Sequence, residues 1–86
     1  MELIWLIKVE YVEDYKLKLF FNDNTIGIVD LRASFHGPIF EPLKEIEYFR
    51  KFKLNSWTVE WPNGADFSPE FLHSLAVQNK VELVNK

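Results

Sequence analysis

Apolar and polar residues alternate along the first third of the chain, and the alternation breaks twice. Between residues 5 and 12, Trp5, Ile7, Val9 and Tyr11 fall on one side, with Lys8 and Glu10 on the other. That period of two marks a half-buried strand. Glu13 and Asp14, both poor strand formers, end it. The pattern resumes over residues 15–21, where Tyr15, Leu17, Leu19 and Phe21 oppose Lys16 and Lys18. Asn22-Asp23-Asn24 is the second break, because Asn and Asp bond their own backbone and tolerate the left-handed region. A third strand is expected from Thr25 to Leu31, carrying Ile26, Ile28 and Val29, with Gly27 as a bulge or a point of close approach. Three strands in succession on short turns make an antiparallel meander.

Downstream the period changes. Arg32 to Pro38 reads as a loop, broken by Gly37-Pro38. Pro42 suits the first position of a helix, where its missing N–H is no loss, and Leu43, Ile46 and Phe49 follow at helical spacing. The expectation is a short helix over about 42–51, with Glu47 and Lys51 as an i,i+4 ion pair. Phe52 to Leu54, a turn at Asn55-Ser56, and Trp57 to Trp61 predict a hairpin whose second strand puts Trp57, Val59 and Trp61 on one face. Trp61-Pro62-Asn63-Gly64-Ala65-Asp66 then holds the sharpest turn signal in the chain.

After it, Ser68 is placed as an N-cap, Pro69 at the first helical position and Glu70 against the helix dipole. Phe67 and Leu72 would form a hydrophobic staple, and Phe71, Leu72, Leu75 and Ala76 the buried stripe, with Asn79 as the stop. A tail at 80–86 frays or adds a short strand. The whole is one α+β domain, residues 1–86: an antiparallel sheet of about five strands (three-stranded meander plus hairpin) packed against two short helices.

Composition supports a real core. Aromatics reach 16% of 86 residues, as eight Phe, three Tyr and three Trp, and each buries roughly 150–250 Å². The absence of cysteine excludes disulfides, thiolate zinc sites and a cysteine nucleophile. The N-terminal apolar run is too short, and too acidic at its start, for a secretory signal, and nothing approaches a membrane span. A cytoplasmic location is expected. With 10 basic against 13 acidic residues the net charge is −3, opposite in sign to the footprint that binds phosphates. Arg50, Lys51 and Lys53 are a local basic exception, read as a solvated helix end.

Three stretches, Tyr15 to Leu31, Gly37 to Phe52 and above all Thr58 to Leu72 with its WPNGAD turn and Pro-started helix, resemble the small bacterial family called domain of unknown function 2442. The likeness covers about residues 7–77. It implies an α+β fold on an antiparallel sheet and carries over no catalytic or binding residue. Relatives are sometimes encoded beside a second small protein in toxin–antitoxin-like pairs, and some carry a C-terminal helix-turn-helix. This chain ends shortly after its last expected helix, so direct DNA regulation is not expected.

No catalytic constellation stands out. His36 lies in a loop without a sequence partner to orient it. His73 has Glu70 and Ser74 nearby, but adjacent helical positions diverge by about 100° and cannot converge on one point; a solvated helix face is the simpler reading. Asp23, Asp30 and Asp66 lack the spacing of a calcium loop, and the two histidines are too isolated for a zinc pair, so no metal or cofactor is expected. Three glycines cannot build a phosphate loop. Asp66 is expected to accept backbone N–H groups before Ser68. Trp5, Trp57 and Trp61 on one sheet face would be core, a stacking platform or a partner interface, with core favoured.

The preferred reading is a non-catalytic protein–protein interaction module, antitoxin-like, whose acid excess suits a small basic partner; self-association is a further way to cover its aromatic surface. The alternative is a small-molecule-binding or enzymatic domain around the WPNGAD loop, with Asp66 and His36 as an acid–base pair. The candidate binding residues are Trp57, Trp61, Asn63, Gly64, Asp66 and His36.

Overall fold

Strands β1 (Leu6–Glu13), β2 (Lys16–Phe21) and β3 (Ile26–Asp30) form the expected meander, antiparallel and in chain order, in a computed structural model that describes residues 3–80. Its turns use the residues marked for them. Asp14 (φ 46°) and Asn24 (φ 73°) both take the left-handed conformation, which short polar side chains tolerate. Asp23 Oδ1 accepts the Thr25 N–H at 3.0 Å. Asn22 clamps the segment leading into β1: its Oδ1 accepts the Trp5 N–H and its Nδ2 donates to the Leu3 carbonyl, each at 2.9 Å.

The inward face of β1 departs from simple alternation. Leu6 pairs with Phe21 and Lys8 with Phe20, so Ile7 is the extra residue of a β-bulge and the phase inverts across it. Leu6 is therefore buried and Ile7 is 56% exposed, while Val9 and Tyr11 pack on the core. In β2 the alternation holds, with Leu17, Leu19 and Phe21 buried. Along β3 only Gly27 and Val29 face inward; Ile26 and Ile28 sit in register with Phe20 and Lys18 on the outer face. That outer face is open, and the ammonium groups of Lys8 and Lys18 lie 5.2 and 5.4 Å from the Phe20 ring centre.

The helix expected over 42–51 is not continuous. A 3₁₀ run occupies Pro38–Lys44, Glu45 is extended at ψ 121°, and a single α-helical turn, α1 (Ile46–Phe49), follows. Two prolines cause this. Pro38 starts the run after Gly37 (φ 93°), and Pro42 falls inside it, where it has no N–H for an α-helical bond and its ring obstructs the preceding turn. Leu43 and Phe49 are buried, but Ile46 points out. The ion pairs among the described residues do not include Glu47 with Lys51.

Strands β4 (Lys53–Leu54) and β5 (Val59–Glu60) form a short separate hairpin, joined to the start of β1 by the Leu6 N–H donating to the Trp57 carbonyl at 2.9 Å. The following turn closes as expected: the Gly64 N–H donates to the Trp61 carbonyl at 2.9 Å, and Gly64 takes φ 92°. Helix α2 (Pro69–Gln78) begins on Ser68, whose Oγ accepts the Phe71 N–H at 3.1 Å, and ends at Asn79. Leu72 and Ala76 are buried. Phe71 is 39% exposed, not part of the buried stripe; its ring stacks on Phe67, 5.7 Å between centres.

Helix α2 lies on β3 at Gly27. A Cβ there would sit 2.6 Å from the Ala76 carbonyl oxygen and 2.8 Å from its Cα, so the close approach expected at this glycine is to α2. Beyond the helix, Lys80 bridges to Gly27; residues 81–86 of the expected tail lie outside the described residues.

Candidate functional site

The six candidate binding residues do not form one site. Trp61 is core, 2% exposed, and its Nε1 donates to the Phe49 carbonyl at 2.8 Å. Its ring lies 5.6 Å from Phe49 and 6.0 Å from Phe67. Asn63 and Gly64 build the turn: Asn63 Oδ1 accepts the Ala65 N–H at 3.1 Å, and its Nδ2 donates to the Ile39 carbonyl at 2.8 Å, tying this turn to the 3₁₀ run.

Trp57 sits elsewhere. It falls in the hairpin turn before β5 starts, so it does not share a face with Val59 and Trp61. Asn55 fixes that turn, its Oδ1 accepting the N–H groups of Trp57 and Thr58 at 2.7 Å each. The buried Thr58 hydroxyl anchors it from below by donating to the Phe67 carbonyl at 2.7 Å. The indole is left 51% exposed and meets Trp5 edge-on, 5.8 Å between centres at 89°. Leu3, Ile7 and Leu54 are exposed as well. Beside Trp5 a cavity of about 440 Å³ is lined by Leu3, Trp5, Asn22 and Asp23. The three-indole platform is thus absent: one tryptophan is core and two are an outer pair.

His36 and Asp66 do come together, as walls of a cavity of about 540 Å³. Ser34, Phe40, Phe67, Ser68, Phe71 and Leu75 complete it. Ser34 and His36 arrive on the loop after β3, Phe40 on the 3₁₀ run, Asp66, Phe67 and Ser68 on the segment entering α2, and Phe71 and Leu75 on α2 itself. Asp66 does not hold the helix start; Ser68 does, and among the described residues no hydrogen bond reaches the Asp66 carboxylate, the His36 ring or the Ser34 hydroxyl. These groups remain available to a ligand. A nucleophile–base–orienter chain needs contacts at hydrogen-bond distance, and no such chain joins the lining side chains. Among the described residues there is no cluster of three metal-ligating groups.

The basic residues are partly occupied. The Arg50 guanidinium stacks over Tyr11 at 4.9 Å, and the Lys51 ammonium lies 5.8 Å from the Tyr48 ring centre. Lys51 and Lys53 share a cavity of about 360 Å³ with Glu60, whose charge opposes anion capture there.

One contact escaped the sequence reading. His73, assigned to a solvated helix face, places Nε2 2.8 Å from Asp23 Oδ2 and its ring edge-on to Phe21 at 5.0 Å. Burial pushes the Asp23 carboxyl up, but the N–H and side chain of Thr25, together with His73, outweigh it and hold the carboxyl below its ordinary value. Residues 23 and 73 lie too far apart in the chain for any local pattern to connect them. Among the described residues no helix is long and apolar enough to cross a membrane.

Comparison with curated proteins and with solved structures finds no match. The model of one family, described as protein of unknown function DUF2442, matches residues 6–77. That span runs from the first residue of β1 almost to the end of α2 and includes the bulge, both turns and the cavity described above, so the chain belongs to the DUF2442 family.

Proposed function

We propose that this chain is a non-catalytic protein–protein interaction module of the bacterial cytoplasm, antitoxin-like, that engages a small basic protein through the surface around Trp57. The observation that carries this reading is the rigid presentation of an exposed indole. A large apolar ring normally costs least when buried, and here Asn55 and Thr58 lock the loop that displays it. Aromatic anchors of this kind dominate interface energies, because a pre-ordered ring loses little entropy on binding. Leu3, Ile7 and Leu54 supply further exposed apolar side chains in the neighbouring segments, and the net charge of −3 steers a basic partner.

Co-expression with the product of the adjacent gene tests this reading. A stable complex should form, and Trp57→Ala should weaken it by about thirtyfold or more, the loss of about 2 kcal/mol typical of an interface anchor. A complex indifferent to Trp57→Ala, or no complex at micromolar concentration, would overturn it.

A second reading is favoured by one specific observation, the shared cavity of His36 and Asp66. Its volume, apolar walls and few polar groups are those of a small-molecule site. Binding without chemistry suits it better than catalysis, since its polar side chains form no relay.

A further inference from the structure

Resting on that second reading, we propose that the cavity binds a planar nitrogen heteroaromatic molecule of the nucleobase class, held by stacking and by N–H donation to Asp66. The first support is an unusual order among the rings. Phe35, Phe40, Phe67 and Phe71 succeed one another nearly parallel, at interplanar angles of 18°, 21° and 23° and centre separations of 6.3, 4.9 and 5.7 Å. Rings elsewhere in this core meet edge-on or tilted, as Tyr15 with Phe35 at 81° and Trp61 with Phe67 at 86°. The parallel column ends at Phe71, its exposed member, and Phe40, Phe67 and Phe71 all line the cavity. A flat guest extends such a column, and base–aromatic stacking is favourable for any π-face.

The second support is the polar complement. An ionised carboxylate only accepts hydrogen bonds, and its two oxygens match two adjacent N–H groups. Asp66 is exposed and has no protein partner among the described residues, so its oxygens are free to exchange water for the donors on a ring edge, as on an amino-pyrimidine edge. His36 and the hydroxyls of Ser34 and Ser68 can then meet ring nitrogens or a carbonyl oxygen. Among the described residues no Lys or Arg lines the cavity, and Asp66 repels anions. A phosphate is therefore not what the site reads. At about 540 Å³ the space is ample for a nucleoside.

Amide-resolved NMR titration with guanosine, guanosine monophosphate and benzyl alcohol tests the proposal. Guanosine should shift the amides of Ser34, Asp66 and Phe71 saturably and bind at least as tightly as its monophosphate. Asp66→Ala should weaken guanosine by about tenfold, the scale of one charged hydrogen-bonded contact, and leave benzyl alcohol unchanged. Phe71→Ala, at an exposed position and checked for an unaltered fold by its spectrum, should weaken both. If benzyl alcohol matches guanosine at these residues, or Asp66→Ala has no effect, the ligand class is wrong while the site stands. If no probe shifts these amides, the site reading fails with it.

Discussion

Trp57 and Trp61 flank the same two-residue strand, yet one is half in solvent and the other is sealed in the core. Trp61 follows β5 directly, its ring closes against Phe49 and Phe67, and its indole N–H is satisfied by a backbone carbonyl. Trp57 precedes β5 in a turn whose geometry is dictated by Asn55, and its indole, half exposed, meets Trp5 edge-on. The lesson is that an aromatic residue is core or surface according to whether strand pairing has begun at its position. Side-chain type and a spacing of four do not decide it.

The sharpest way to break this contrast is to truncate both rings. Trp61→Ala should cost about 3–5 kcal/mol by cavity formation, and it also leaves the Phe49 carbonyl without its donor. In urea denaturation this would be a large drop in midpoint, because whole domains are stable by only about 5–15 kcal/mol. Trp61→Phe separates packing from the hydrogen bond and should fall short of the alanine variant.

Gly27 probes the same tight interior from the backbone side. Gly27→Ala forces a methyl against the Ala76 main chain, and overpacking of this kind costs about 1–3 kcal/mol. Because the obstacle is backbone, α2 must shift off β3, and hydrogen exchange should accelerate along α2 before the β1–β2 pair. Trp57→Ala, by contrast, should change stability by less than about 1 kcal/mol, since half of the ring is already in solvent. A large loss of stability there would refute its assignment to the surface.

The smallest expected effect concerns the turn beneath Trp5. Asp23 is held below its ordinary value in the folded chain, so its charged form favours folding. That contribution is complete above the unfolded carboxyl value of about 3.9 and disappears as pH falls through the lower folded value. Denaturation midpoints measured at neutral pH and near pH 2.5 should therefore diverge less in Asp23→Asn than in the unsubstituted chain. Equal divergence would mean that the charge of Asp23, held by Thr25 and His73, contributes nothing to folding.

Much of this architecture was legible from local pattern. The meander, the turns at Asp14 and Asn24, the close approach at Gly27, the Asn63-Gly64 turn and the Ser68 cap all follow from residues that act within a few positions of themselves. The candidate site was legible only in part: His36 and Asp66 line one cavity, but no local pattern marks Phe40 and Phe71 as its other walls.

What chain chemistry by itself determined is where strands, turns and caps begin, because hydrogen bonding of short polar side chains and the period of apolar residues are local forces. Three further matters went beyond the apolar period. Two prolines, acting locally, split a helix into a 3₁₀ run and one α-turn; pairing with β2 placed a bulge at Ile7 that put Leu6 inward in place of Trp5 and Ile7; and packing across more than twenty residues aligned Phe40 with Phe67 and Phe71. The last two depend on what lies across the space from a residue, and burial is a property of that space.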